Sequence, residues 1–204
     1  MIKTLIFDFG DVFINLNKES TLIELQKLGI TSFTEEMLQI NILYETGKIN
    51  TESFVNSYLE LFPNQTSEQL SDAWNAIILD FPEYRLEFIK ALSEKKEYKL
   101  ILLSNTNELH IEKVIENMTL ERYNRFKNCF DAFYLSHEIH LRKPNFDIYE
   151  FVLNTHKLKP EECLFIDDTL ENTESAKTLR VHTWNINPKT EDIINLFSIQ
   201  KELF

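Results

Sequence analysis

Asp8 ends the apolar run TLIF (4–7), with Gly10 and Asp11 close behind it. Ser104 and Asn105 end a second run, KLILL (99–103), and Asp167 and Asp168 end a third, CLFI (163–166). Arg142-Lys143-Pro144 lies between the last two. Gathered at one place, the three carboxylates carry about three negative charges at neutral pH. They raise one another's pKa and repel an anionic substrate. A divalent cation relieves both problems, and Mg²⁺ favours a few carboxylates, a carbonyl, waters and a phosphate oxygen. With Lys143 it balances the three carboxylates. A carboxylate held there can attack phosphorus and form an aspartyl-phosphate. The Ser104 hydroxyl and nearby backbone N–H groups can hold the non-bridging oxygens as charge redistributes.

Such a gathering needs a scaffold that brings strand ends to one edge. TLIF, KLILL, AFYL (132–135), CLFI and VHTW (181–184) read as buried strands. Between the later ones, residues 108–118 and 146–156 place apolar side chains at helical spacing, and Asn145 stands where a helix cap is wanted. This alternation predicts an α/β fold, a Rossmann-like parallel sheet with helices on both faces. Ligands of such sheets bind beyond the carboxyl ends of the strands, where Asp8, Ser104, Asn105, Asp167 and Asp168 fall.

One connection is far too long for an ordinary crossover. Roughly 90 residues separate the first two strands, where about a dozen suffice. The stretch reads as helices at 19–28, 34–46, 51–62, 67–79 and 82–96, with S32-x-x-E35 and T66-x-x-Q69 as capping boxes. We expect residues 16–80 to form an inserted four-helix cap and residues 1–15 with 81–204 to form the core domain. TEDIINLFSIQ predicts a last amphipathic helix.

Composition narrows the function. A formal charge of −12 disfavours nucleic acid and anionic membranes as partners. Three glycines argue against a glycine-rich nucleotide loop. Cys129 and Cys163 show no CxxC spacing and are expected as buried thiols. No apolar run approaches the roughly 18 residues of a membrane span, and a soluble, cytoplasmic protein, monomer or homodimer, is the expectation.

Taken singly, each site residue has an ordinary reading. Asp8 alone is a strand-terminal residue, Ser104 a local hydrogen-bonding residue, Lys143 a solvated lysine, and Asp167-Asp168 a helix cap. His137-Glu138-Ile139-His140 lacks the i, i+4 histidines of a zinc motif and reads as a loop. Trp74 reads as core. Tyr44, Glu45 and Lys48 lie near a turn of the insertion, and periodicity does not tell which way they face.

Together and in order, FDFGDV, LLSNTN, RKPNFDIYEFVL and FIDDTLENTESAK resemble the four motifs of the haloacid dehalogenase-like hydrolase superfamily. The resemblance spans essentially the whole chain. It implies Asp8 as nucleophile, Ser104, Asn105 and Lys143 around the phosphate, and Mg²⁺ held by Asp8, the Gly10 carbonyl and Asp168. Asp167 enters through water or as an orienting group, and Asn172 supports its loop. ETGKINTESF resembles the cap of the α-glucose-1-phosphate phosphatase branch. The implied activity is hydrolysis of a small phosphomonoester, with a sugar phosphate as substrate.

The chain departs from the family pattern at Gly10, where a second Asp ordinarily protonates the leaving oxygen and activates water. General acid–base help is worth about 10²–10⁴ in rate. Asp11 is the neighbouring carboxylate that a bent backbone or a water would bring into that role. Two other readings follow from the same gap. One is a 2-haloacid dehalogenase, which needs neither proton nor metal. The other is a catalytically weakened binding or regulatory protein on the same scaffold.

Overall fold

The computed structural model describes all 204 residues. Five parallel strands, β1 (Thr4–Phe7), β2 (Lys99–Ser104), β3 (Ala132–Leu135), β4 (Cys163–Asp167) and β5 (His182–Asn185), form one sheet in the order β3-β2-β1-β4-β5. Strand β1 is central, pairing Phe7 with Leu102 on one side and Ile166 on the other. The strands read as continuous apolar runs because both faces are covered. Leu5, Phe7, Leu100, Leu102, Leu164 and Ile166 enter the larger core cluster. Their alternates Ile6, Ile101, Leu103, Cys163 and Phe165 enter a second cluster on the opposite face. Phe9, Phe13, Phe81 and Phe126 pack beside the carboxyl end of β1 with ring centroids 5.0–6.4 Å apart. This aromatic packing supports the loop that follows Asp8.

The long connection contains α1 (Ser20–Lys27), α2 (Glu35–Glu45), α3 (Thr51–Leu61) and α4 (Ser67–Asn75); α5 (Glu83–Lys95) then returns the chain to the sheet. The four helices bury a cluster of their own, including Leu25, Met37, Tyr44, Phe54, Tyr58 and Trp74. Asn50 caps α3, and Thr66 with Gln69 forms the expected capping box on α4. At α2 the expectation fails. Thr34, not Ser32, is the cap, its hydroxyl accepting from Met37 N, so S32-x-x-E35 is two residues out of place. Helix α4 also stops four residues early. Its continuation runs antiparallel to the outgoing chain, with Asn15 N donating to Asp80 O, Asn17 N to Ile77 O and Leu79 N to Asn15 O. Helix α5 fixes this neck, because buried Arg85 donates to Phe13 O, Asn15 Oδ1 and Asp192 Oδ2.

Beyond β2 come α6 (Glu108–Met118), α7 (Leu120–Lys127), α8 (Ser136–Ile139), α9 (Phe146–Thr155), α10 (Leu170–Thr178) and α11 (Leu196–Ile199). His137-Glu138-Ile139 therefore lies in a one-turn helix and not in a loop. Asn145 occupies the cap position of α9, but its side chain makes no capping bond. The expected C-terminal helix starts only at Ile193, because Asp192, held by Arg85, is extended, and it runs as a 3-10 turn (Ile193–Asn195) followed by α11. Both cysteines are free and buried, and no helix is long and apolar enough to cross a membrane.

Helix α6 fastens the insertion to the sheet. Leu109 belongs to the insertion's own cluster, and Leu109 N donates to the Tyr44 hydroxyl. His110 lies stacked on Trp74, with Nε2 3.2 Å from Trp74 O and Nδ1 3.1 Å from Asn107 Nδ2. That geometry needs a neutral ring, with Nε2–H donating and Nδ1 accepting. Burial pushes its pKa down to about 4, the Trp74 carbonyl resisting. The unfolded chain protonates this histidine near 6.5. Stability is therefore complete above pH 6.5 and is lost as pH falls toward 4. The expected loss is about 2 kcal/mol, discounted because His110 as a whole residue is only half-buried. Thermal midpoints between pH 4 and 7 should fall more steeply for the parent than for His110→Gln; parallel curves would contradict this.

Candidate active site

The carboxyl ends of β1, β2 and β4 deliver their polar residues to one edge, as the parallel registers require. Asp8 follows β1, Ser104 ends β2 and Asp167 ends β4. Lys143, from the loop before α9, is 1 % exposed and reaches all the way to them. Its Nζ donates to Asp8 Oδ1 and to Asp167 Oδ2, each at 2.6 Å. Burial disfavours the ammonium, but Asp167 and Asp8 outweigh it and hold its pKa above the ordinary value. Burial pushes the Asp8 carboxyl up, against the pull of Lys143 and with a further push from Asp167.

The two acidic residues of β4 differ sharply. Asp167 is fully buried and its oxygens are taken by protein donors. Oδ1 accepts from Thr169 N at 2.8 Å and Asn172 Nδ2 at 3.1 Å, and Oδ2 accepts from Lys143 and from Asn172 at 3.0 Å. Asp168 is more open. Its Oδ2 meets the Lys18 ammonium, which also approaches Asp11 Oδ2 at 3.3 Å. Burial raises the Asp168 pKa, while Lys18 restrains the rise.

Asp8, Asp167 and Asp168 bring carboxylate oxygens within 4.8 Å of one another. No protein donor reaches Asp8 Oδ2, Asp168 Oδ1 or the Gly10 carbonyl. Asp8, Gly10 and Asp168 line one cavity of about 310 Å³. Two carboxylates within 4.8 Å of each other, with the Gly10 backbone on the same cavity, are hard oxygen donors of the kind that Mg²⁺ accepts. The residues therefore fit such an ion.

Gly10 leaves room that a neighbour has taken. A Cβ built there would lie 2.7 Å from Leu16 Cδ1, and the nearest Asp8 oxygen would be 3.8 Å away. Asp11 does have a bent backbone, with φ 54°. The bend turns its carboxylate to Leu16 N, at 3.0 Å, and to Lys18. Asp11 lines the adjoining cleft with Asn15 and Asp80, and not the cavity that holds Asp8.

Ser104 is buried at the end of β2 and is not among the residues that line this cavity; its hydroxyl makes only a long 3.4 Å contact with Asn105 O. The Asn105 side chain is occupied, donating to Lys143 O at 2.8 Å and accepting from Lys143 N at 2.9 Å. This reciprocal pair fixes the loop that carries Lys143.

Four charged lining residues escaped the sequence reading as site residues: Lys18, Glu45, Arg142 and Glu171. Glu45 is the last residue of α2, and Arg142 donates to its Oε2 from Nε at 3.0 Å, with Nη2 paired to the same oxygen at 3.0 Å. Burial raises the Glu45 pKa, and Arg142 restrains it. The turn after it is seated against α8, with Ser136 Oγ donating to Glu45 O and His140 Nδ1 2.8 Å from Thr46 O. Gly47 has φ 61°, and a Cβ there would lie 2.0 Å from His137 O, so this close approach admits only glycine. Of the neighbours that the sequence left undirected, Tyr44 is core and Lys48 is exposed.

Known proteins resemble this chain over most of its length. A D-ribitol-5-phosphate phosphatase of Bacteroides thetaiotaomicron is 27 % identical over 190 residues, covering 90 % of this chain and 91 % of the relative. The crystal structure of the HAD-family enzyme BT-2542 from the same organism, a magnesium complex, matches with TM-score 0.85 and 31 % identity over 96 % of this chain and 98 % of that one. The same enzyme in complex with magnesium and inorganic phosphate gives TM-score 0.83 and 32 % identity over 97 % of this chain and all of that one. The family model for haloacid dehalogenase-like hydrolases matches residues 2–179. The chain belongs to the haloacid dehalogenase-like hydrolase family.

Proposed function

We propose that this protein is a Mg²⁺-dependent phosphatase that hydrolyses a small hydroxylated phosphomonoester through an aspartyl-phosphate at Asp8. The observation that carries it is the clustering of the Asp8 and Asp168 carboxylates, beside Gly10 and the buried Lys143 ammonium, around one cavity. Residues 16–80 act as the cap over this cavity. A relative that dephosphorylates a pentitol phosphate supports the substrate class. The narrower glucose 1-phosphate expectation is one member of that class.

In this reading Asp8, Gly10 and Asp168 hold the ion, and Asp167 orients Lys143 and does not ligate. The ion, when bound, neutralises carboxylate charge and offsets the repulsion between the site and the phosphate. One oxygen of Asp8 attacks phosphorus, and the bond to the leaving oxygen breaks. Lys143 and the Ser104 hydroxyl hold the non-bridging oxygens as charge moves onto them. The leaving alkoxide takes its proton from cavity water. A second water then attacks the phosphorus of the aspartyl-phosphate, frees Asp8 and releases inorganic phosphate. With Gly10 in place of a carboxylate, substrates whose leaving oxygen needs little protonation react fastest.

Phosphate release from p-nitrophenyl phosphate, α-glucose 1-phosphate and a pentitol phosphate, with Mg²⁺ and with a chelator, tests the proposal. We expect the chelator to lower release by at least about 10²-fold. Turnover that is unaffected by the chelator, or halide release from a 2-haloacid without metal, would overturn it.

A further inference from the structure

The cavity beside Asp8 is polar almost throughout: of its 13 lining residues only Leu16 is hydrophobic. An apolar or aromatic leaving group would find little surface to bury against. The charges are arranged more narrowly still. Each lining cation already faces carboxylates: Lys143 faces Asp8 and Asp167, Lys18 faces Asp168 and Asp11, and Arg142 faces Glu45. Glu45 is the one carboxylate that the helical insertion contributes to the lining. Both of its contacts with Arg142 go to Oε2, and no protein donor reaches Oε1. Glu45 is thus anchored by one oxygen and presents the other as an acceptor, on an element seated firmly against α8.

We propose that Glu45, positioned by Arg142, is the specificity-determining residue of the site, accepting hydrogen bonds from hydroxyls of a neutral polyol or sugar phosphate and rejecting phosphates that carry a second anionic group. The inference rests on the phosphatase reading above and adds to it which part of the protein reads the non-phosphate half of the substrate. A hydroxyl donor meets an anchored carboxylate oxygen, a charge-assisted bond. A second carboxylate or phosphate at the same place meets like charge, with no free cation to receive it. Discrimination therefore comes from repulsion as well as attraction.

The test compares kcat/KM for a pentitol monophosphate, the same phosphate carrying a carboxylate at its far carbon, and p-nitrophenyl phosphate. The variants are Glu45→Gln and Arg142→Gln, each checked for a parent-like fold by circular dichroism. The parent should prefer the neutral pentitol phosphate to the acidic one. Glu45→Gln should lower the pentitol-to-acid ratio by roughly 10- to 100-fold, and the pentitol-to-nitrophenyl ratio should fall in the same direction. Arg142→Gln should lower both ratios by a smaller factor. Equal losses on all three substrates would assign Glu45 to proton transfer or to the fold and overturn the proposal. Ratios that stay within about threefold of the parent would overturn it too. A parent inactive on all three substrates would instead sink the phosphatase reading, and this proposal with it.

Discussion

Asp8→Asn is expected to abolish phosphate release, with a fall of at least about 10⁴-fold in kcat for every substrate. The substitution is nearly isosteric, and the amide oxygen still accepts a bond from Lys143 Nζ, now 2.6 Å from Asp8 Oδ1. In the proposed mechanism it removes the nucleophile and one metal ligand without emptying the site. The variant should therefore stay folded, and burial, the leading cause of the raised Asp8 pKa, no longer acts on a charge. Chromogenic phosphate release measures the loss. Acid-quench trapping of phosphate on the protein should succeed for the parent and fail for the variant. Residual turnover above a few per cent would mean that water attacks phosphorus directly and that Asp8 only holds the ion.

Lys143→Met should have the largest effect on stability. Lys143 is the only cation bonded to Asp167, and both carboxylates that it touches are buried. Removing one partner of a buried ion pair leaves charge uncompensated and costs about 3–5 kcal/mol. For a chain of this size that is a fall of roughly 6–20 °C in thermal midpoint. Activity should vanish with it. Adding Asp167→Asn to the variant should recover roughly 1–3 kcal/mol, because the charge left stranded is then removed. The measurement is calorimetry of the four proteins of this cycle in the presence of a chelator, so that no metal compensates. An additive cycle, with no recovery in the double variant, would show that Asp167 does not depend on Lys143.

The residues that meet Asp8 from the strand ends were legible because the sheet leaves no choice. Apolar runs buried on both faces stop where the chain leaves the sheet, and the residue at that stop is at the ligand edge. Asp8, Ser104 and Asp167 are such residues. Lys143 was legible as a cation on a loop between two strands, and its resemblance to a motif strengthened that reading, but a lysine before a proline says nothing of burial. Lys18 and Glu45 were not legible as site residues. Lys18 lies in the neck before α1, outside any periodic pattern, and its destination is a carboxylate 150 positions away. Glu45 sits at the end of a helix that buries Met37 and Tyr44, and helical spacing cannot tell a solvated end from one pressed against another element. Capping was read two residues early at Ser32 for a similar reason: serine and threonine both qualify, and packing decides which is used. The last helix failed because the Asp192–Arg85 pair is tertiary, with partners 107 positions apart.

The position of β1 has a consequence during synthesis. It is the central strand, yet its neighbours begin at Lys99 and Cys163. At about 5–20 residues per second, TLIF leaves the ribosome on the order of ten seconds before any strand exists to pair with it. The insertion's helices need no such wait, because their cluster draws almost entirely on residues 25–74. Only Leu109, from beyond β2, is still missing when they emerge. The nascent chain therefore carries a collapsed helical body next to a naked hydrophobic strand. Holding that strand off aggregation until Lys99–Ser104 appears is a task for chaperones, set by chain order and not by the finished fold.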